Sequence, residues 1–160
     1  MDAIEAKLKD MGLALPAKMQ LPPGAVLPFC WVRLHGGRAI LSGHGPLAKD
    51  GTLAEPLGRV GDEVSIEQGY HAARLTGLAM LASLKEALGD LNRVTAWVRV
   101  FGMVNTAPDF RYYPAVINGF SDLILALYGP ERGNHARSAV GVAGLPWNIP
   151  VEIEAEVAVD

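Results

Sequence analysis

The spacing of apolar and polar residues predicts three helices and five strands. The strongest helical pattern runs from residue 65 to 88, where Ser65 and Gln68 fit a capping box and Gly89 supplies the stop. A second long helix is expected from Ala115 to Leu127, and a short amphipathic helix at about residues 2–12 precedes both. Apolar or alternating runs predict strands at residues 30–34, 39–42, 94–104, 137–142 and 151–159.

The strand from Val94 to Val104 is almost uninterruptedly apolar, so we expect it to be buried on both faces. The order strand, strand, helix, strand, helix, strand, strand is typical of an α+β fold with two main helices on one face of a mixed sheet. Two helices leave the other face of that sheet uncovered. The sequence therefore predicts a single domain over residues 1–160 that buries this face against further copies of itself.

Composition and charge restrict the partners and the compartment. Half of the residues are hydrophobic and 19% are charged, as in globular proteins. The net charge of −3 gives no broad attraction to nucleic acid or anionic membranes, and the most apolar stretch, residues 75–84, is far shorter than the ~20 residues that cross a bilayer. The charged N-terminus is unlike a signal peptide, and a single cysteine, Cys30, suits a reducing compartment. We therefore expect a cytoplasmic protein with no nucleic-acid or membrane partner, and with Cys30 buried in the first strand.

The last two strands carry the charged groups that could form a site. Arg137 opens the first of them, and a guanidinium can hold a carboxylate with two parallel hydrogen bonds. Glu152, Glu154 and Glu156 project from one face of the second, where a glutamate could hold or activate a water. Two interpretations remain open: a solvated face with cross-strand partners, or a row of carboxylates neutralised by the arginines of neighbouring strands, Arg137, Arg99 or Arg33.

Other constellations are absent from the sequence. The histidines lack the spacing of metal ligands, so no metal site is predicted; they are His35, His44, His71 and His135. The chain has no G-x-S-x-G elbow, no P-loop and no dinucleotide fingerprint. We therefore expect no bound cofactor.

Three blocks of the chain resemble the YjgF/YER057c/UK114 family, also called RidA, whose members are often labelled endoribonuclease L-PSP. They are Leu41-Ser42-Gly43, then 136–140 (Ala-Arg-Ser-Ala-Val) with Leu145-Pro146, and 151–155 (Val-Glu-Ile-Glu-Ala). The resemblance covers about residues 25–160. The N-terminal helix, residues 42–46 and residues 119–123 are more similar to a longer subgroup of the family than to RidA itself.

The resemblance implies a chorismate-mutase-like fold assembled as a homotrimer, with three sheets forming an inner barrel and ligand clefts between subunits. RidA hydrolyses reactive enamine and imine intermediates derived from amino acids, which releases ammonia and a 2-keto acid. Carried over by position, Arg137 would bind the substrate carboxylate, Glu152 would hold the attacking water, and Ser42 would line the cleft. The implied partners are a small carboxylate-bearing ligand and the chain itself.

Three positions depart from the RidA pattern. Phe29 stands where RidA has a tyrosine, so the pocket loses a hydroxyl. Pro114 or a neighbour falls where RidA has a helix asparagine, and His44 replaces a glutamine and could supply a donor. A binding or sensing module without turnover is therefore the alternative to an imine deaminase. Endoribonuclease activity is a third possibility, which the net negative charge and the lack of a histidine pair disfavour.

Overall fold

The computed structural model describes residues 3–160, so the predicted start of the first helix at residue 2 lies outside the described part. Within that part the helices are α1 (Ala3–Asp10), α2 (Ile66–Leu88) and α3 (Tyr113–Gly133). The strands are β1 (Val32–His35), β2 (Arg38–His44), β3 (Val94–Asn105), β4 (Ala136–Val142) and β5 (Val151–Val159). Short 3-10 turns occupy Leu91–Arg93 and Pro146–Asn148.

The five strands form one mixed sheet in the order β1-β2-β5-β3-β4. Only β3 and β4 are parallel, and the other neighbours are antiparallel. Helices α2 and α3 pack on one face of this sheet, where the buried side of β3 includes Trp97, Val100 and Val104. The predicted α+β fold, with two main helices on one face of a mixed sheet, is confirmed.

Local signals set the boundaries of the two long helices. The Ser65 side chain accepts a hydrogen bond from the backbone of Gln68, the Gln68 side chain accepts one from the backbone of Ser65, and Gly89 closes α2 with a φ of 79°. Helix α3 begins two residues before the prediction, because Pro114 fits a first helical turn. Gly129, with a φ of 72°, interrupts it where the sequence predicts its end.

The other face of the sheet stays open in a single chain. Ile40 on β2 is 46% exposed, and Phe101 and Met103 on β3 are only partly buried. The expectation that β3 is buried on both faces is therefore met on the helix side alone. The oligomer that would cover the open face stays a prediction at this point.

Cys30 is exposed, so the prediction of a buried strand cysteine is wrong. Strand β1 begins at Val32, two residues after Cys30, and lies at the edge of the sheet. A residue that precedes an edge strand has no neighbouring strand on its outer side to cover it.

Helices α2 and α3 approach closely enough that glycine is required at their contact. A Cβ on Gly119 of α3 would lie 1.9 Å from the backbone oxygen of Tyr70 in α2. Gly77 of α2 makes a second close approach, with the side chains of Leu123 and Phe120 about 3 Å from its Cβ position. The Gly119 contact is the stricter one because a backbone oxygen cannot rotate away.

We expect Gly119→Ala to lower the free energy of unfolding by about 2–4 kcal/mol, because the added methyl group forces the two helices apart. Chemical denaturation monitored by circular dichroism measures this change. Gly144→Ala is the matched control, since a Cβ there meets nothing within 4 Å. Equal stabilities of the two variants would contradict the close packing.

Candidate functional site

Arg137 lies on the edge strand β4 and points to the helix side of the sheet. It is opposite Val100 of β3 in the parallel register. Its Nη1 donates to Asn118 Oδ1 at 2.9 Å and to Ser121 Oγ at 3.0 Å, and Nη2 lies 3.5 Å from the Pro114 carbonyl oxygen. Helix α3 therefore holds the guanidinium from one side through three positions, 114, 118 and 121, that share one face of its first turns.

A chain of hydrogen bonds continues from Arg137 to His135. His135 Nδ1 lies 2.7 Å from the carbonyl oxygen of Gly133, so Nδ1 carries the proton and Nε2 accepts from the Ser121 hydroxyl at 2.9 Å. Burial lowers the pKa of His135, although the Gly133 carbonyl partly opposes this change. A neutral His135 thus orients the Ser121 hydroxyl so that its oxygen faces the guanidinium.

No carboxylate within residues 3–160 forms an ion pair with Arg137. Partial burial lowers the pKa of Arg137, and the charge of Asp122 opposes that change. Asp122 itself accepts a hydrogen bond from the Tyr70 hydroxyl at 2.7 Å. A partly buried guanidinium that contacts only neutral groups favours an anionic ligand.

Two side-chain partners of Arg137, Asn118 and Ser121, were missed in the sequence, as was His135, which contacts Ser121. A signal was present, because Asn118 and Ser121 are polar, lie three residues apart and therefore share one face of an otherwise apolar helix. The structure also changes the account of Pro114. Pro114 contributes only a carbonyl, but Asn118, one turn further along, places a side-chain amide beside Arg137.

Glu152 lies on the opposite face of the sheet from Arg137. It is opposite Met103 of β3, whereas Arg137 is opposite Val100. Positions three residues apart on one strand project from opposite faces, and Arg137 contacts α3 while Glu152 projects toward the open side. The two predicted catalytic residues therefore do not meet within one chain.

A glycine bulge makes room for the Glu152 carboxylate. Strand β2 has one extra residue between Leu41 and His44 relative to β5, and a Cβ on Gly43 would lie 2.6 Å from Glu152 Oε2. Burial raises the pKa of Glu152, and the negative charge of Glu154 raises it further. Glu152 is thus a half-buried carboxyl, and the residue of β2 that it contacts, Gly43, has no side chain.

The same bulge places Ser42 and His44 on opposite faces. The Ser42 hydroxyl donates to the Cys30 carbonyl at 2.7 Å. His44 is buried, with Nδ1 donating to the Ser42 carbonyl at 2.6 Å and Nε2 accepting from Ser83 Oγ at 2.9 Å. Burial lowers the pKa of His44, so the ring is neutral, and its single N–H already has a partner. A role for His44 as a donor to a ligand would require this bond to break.

Three of the five predicted site residues line one cavity of about 380 Å³: Phe29, His44 and Glu152. The segment from residue 16 to 31, helix α2 and the turn around Trp147 form its other walls. Ser42 instead lines a groove on the open face, together with Phe29, Arg33, Arg99, Glu154 and Glu156. Arg137 lines neither space.

One of the three glutamates of β5 has an ion-pair partner, and it is none of the three predicted arginines. Arg38, from the neighbouring strand β2, pairs with Glu156. Glu154 is exposed. The interpretation of a partly solvated face with cross-strand partners therefore fits this strand better than neutralisation by Arg137, Arg99 or Arg33.

Residues 3–160 lack both a metal-binding cluster and a membrane-spanning helix. No three or more His, Cys, Asp or Glu side chains are grouped so that they could hold a metal ion. None of the helices in residues 3–160 has the length and apolar character needed to cross a membrane.

The chain belongs to the YjgF family. The matching family model carries the description "YjgF/chorismate_mutase-like, putative endoribonuclease" and covers residues 5–153. This match confirms the family that three short sequence blocks indicated.

Similar proteins span nearly the whole chain. Protein TCP17 of Trypanosoma cruzi is 37% identical over 96% of this chain and 92% of its own length. The crystal structure of Atu1372 from Agrobacterium tumefaciens, a protein of unknown function, has a TM-score of 0.88 at 36% identity and covers 99% of this chain and 93% of that one. A putative endoribonuclease from Shewanella oneidensis has a TM-score of 0.86 at 28% identity, with coverage of 99% and 100%.

We expect the Glu152 carboxyl to titrate above the ordinary glutamate value of 4.5, with burial as the main cause. Ionisation then costs stability as the pH rises from 4.5 through the higher folded value, and this cost is absent below 4.5. Carbon NMR of the labelled carboxyl measures the pKa. Glu154→Gln should lower it part of the way, whereas Glu156→Gln should not, and a wild-type pKa at or below 4.5 would contradict the burial of Glu152.

Proposed function

We propose that this protein is a RidA-like homotrimer that binds a small carboxylate-bearing molecule in clefts between its subunits and hydrolyses imines of 2-keto acids. The observation that carries the proposal is the Arg137 guanidinium, which is partly buried, hydrogen-bonded by Asn118 and Ser121 and without a carboxylate partner in residues 3–160. Such a group stabilises a bound carboxylate because its own hydrogen bonds already fix its orientation.

Two features support a cleft shared between subunits. Arg137 lies on β4, the strand at one edge of the sheet, and Glu152 lies on the opposite face of β5. A ligand that contacts both therefore needs two copies of the chain. The open face of the sheet, with the partly exposed Ile40, Phe101 and Met103, supplies the apolar surface that a neighbouring copy would cover.

The proposed reaction adds water across the carbon–nitrogen double bond. The water oxygen bonds to the electrophilic imine carbon while Glu152 accepts a proton from that water. That proton then passes to the nitrogen, which gives a carbinolamine. The proton of the carbinolamine hydroxyl moves to the nitrogen as the carbon–nitrogen bond breaks, so that the hydroxyl becomes the carbonyl of a 2-keto acid and ammonia leaves. Burial raises the pKa of Glu152 above that of an ordinary glutamate, which strengthens it as a base that takes up a proton and returns it.

The second candidate is a binding module without turnover. It is favoured because two lining residues of the same cavity are poorly suited to proton transfer: Phe29 has no hydroxyl, and both ring nitrogens of His44 are engaged. In that case Arg137 and its helix partners would capture the acid, and no imine would be hydrolysed.

We expect Arg137→Ala to weaken binding of 2-ketobutyrate by about 10- to 100-fold and to abolish imine hydrolysis, because charge-assisted hydrogen bonds to the carboxylate are lost. Isothermal titration calorimetry and a coupled ammonia assay measure the two effects. The variant should keep a mass three times that of the 17.0 kDa chain. Arg59→Ala, at an exposed loop position, should match wild type.

An Arg137→Ala variant that hydrolyses imines at the wild-type rate would overturn the proposed function. Wild-type protein that binds 2-ketobutyrate without accelerating imine hydrolysis would instead support the binding module. If wild-type protein in solution has the mass of a single chain, the proposed cleft between subunits does not form.

We expect Ser121→Ala to weaken 2-ketobutyrate binding by about 5- to 10-fold, since Arg137 loses one acceptor worth roughly 1 kcal/mol. Nitrogen NMR of His135 gives an independent measurement, because Nε2 loses its donor. Thr76→Val is the control, as the Thr76 hydroxyl donates only to Ala72 within α2. Unchanged affinity together with an unchanged His135 signal would show that Ser121 does not position Arg137.

A further inference from the structure

The cavity beside Glu152 is larger and more apolar than a small keto acid needs. Its volume is about 380 Å³, within the range of small-molecule pockets, and two methyl side chains of α2, Ala79 and Ala82, line it. The ethyl group of 2-ketobutyrate would leave most of this space unfilled.

Hydrogen bonds hold the N-terminal wall of the cavity in place. The backbone N–H of Ala17 donates to Lys49 O at 2.9 Å, and that of Gln20 donates to Gly51 O at 3.0 Å. Lys18 forms an ion pair with Glu86 of α2 at 2.8 Å. These contacts fix the backbone of the segment. Its apolar and aromatic side chains that line the cavity include Met19, Leu21, Leu27, Phe29 and Trp31.

Trp147 lines the cavity in a backbone conformation that bulky residues rarely adopt. Its φ is 52°, and the residue remains 60% exposed in the chain. The buried Asn105 side chain maintains the turn by donating from Nδ2 to Asn148 Oδ1 at 3.1 Å and to Ile149 O at 3.2 Å. Because Trp147 is largely exposed, burial of its side chain does not offset the backbone strain. The strained conformation places an aromatic side chain beside the cavity.

The polar groups that line the cavity determine which charge a ligand's side chain can carry. His44 and Ser83 bind each other, and Lys18 is paired with Glu86. Glu152 is consequently the charged lining residue without an ion-pair partner, and no unpaired cation among the lining residues could hold a second carboxylate. An acidic side chain would be repelled, whereas a neutral apolar one would fit.

We infer that the cavity takes the side chain of the substrate, so that the substrate class is 2-imino monocarboxylic acids with an aromatic or other large apolar side chain. A ligand whose reacting carbon lies at Glu152 can extend directly into this space, because Glu152 lines it. The inference rests on the proposed function, since it takes the carboxylate to be held by Arg137.

Calorimetric titration of wild-type protein with three 2-keto acids tests the inference. Phenylpyruvate should bind at least about tenfold more tightly than 2-ketobutyrate, because a phenyl ring buries more apolar surface, and 2-ketoglutarate should bind more weakly than either. Equal or weaker binding of phenylpyruvate relative to 2-ketobutyrate would overturn the inference.

A variant that fills the cavity tests whether the preference for phenylpyruvate arises there. Ala82→Leu should weaken phenylpyruvate binding at least about tenfold and change 2-ketobutyrate binding by less than about twofold. Ala87→Leu is the matched control, because Ala87 is exposed on the same helix and does not line the cavity. Identical phenylpyruvate affinities for Ala82→Leu and wild type, with both folded by circular dichroism, would also overturn the inference.

Indole, which has no carboxylate, separates failure of the cavity from failure of the proposed function. If no keto acid binds wild-type protein, the proposed function and the substrate class both fail. Indole binding that is lost in Ala82→Leu and kept in Arg137→Ala would then show an apolar ligand site alone. Absence of indole and keto-acid binding would refute the cavity as a ligand site.

Discussion

Parallel pairing of β4 with β3 is the constraint on which the candidate site depends. Adjacent parallel strands cannot be joined by a tight turn, so α3 has to cross the sheet between them. That crossing brings Asn118 and Ser121 against Arg137 and presses Gly119 onto the backbone of α2. The packing of the helix layer and the orientation of the guanidinium are therefore consequences of the same element.

The sheet separates the groups that the proposed chemistry combines. Arg137 is on the helix side at one edge, and Glu152 is on the other side behind the bulge at Gly43. The proposed oligomer would therefore bring Arg137 and Glu152 of different subunits together, in addition to burying the open sheet face. In that proposed oligomer, one subunit would build the cavity beside Glu152 and another would supply Arg137.

Features that depend on neighbours in the chain were predictable. The reciprocal hydrogen bonds of Ser65 and Gln68 and the break at Gly129 follow from local backbone chemistry, and the structure confirms them. Features that depend on strand pairing were not. The exposure of Cys30 follows from where the edge strand begins, and the choice of Arg38 as the partner of Glu156 follows from a register that no local pattern encodes.

Motif spacing and hydrophobic periodicity were sufficient to indicate the family, the α+β class and Arg137 as the candidate anion anchor. The three-dimensional structure was needed to show that Arg137 and Glu152 do not meet in one chain, and that Asn118 and Ser121 hold the guanidinium. It also decided that a cavity lies beside Glu152. The physical reason is that each of these results depends on which strands pair and in what register, and hydrogen bonds between segments distant in the chain establish both.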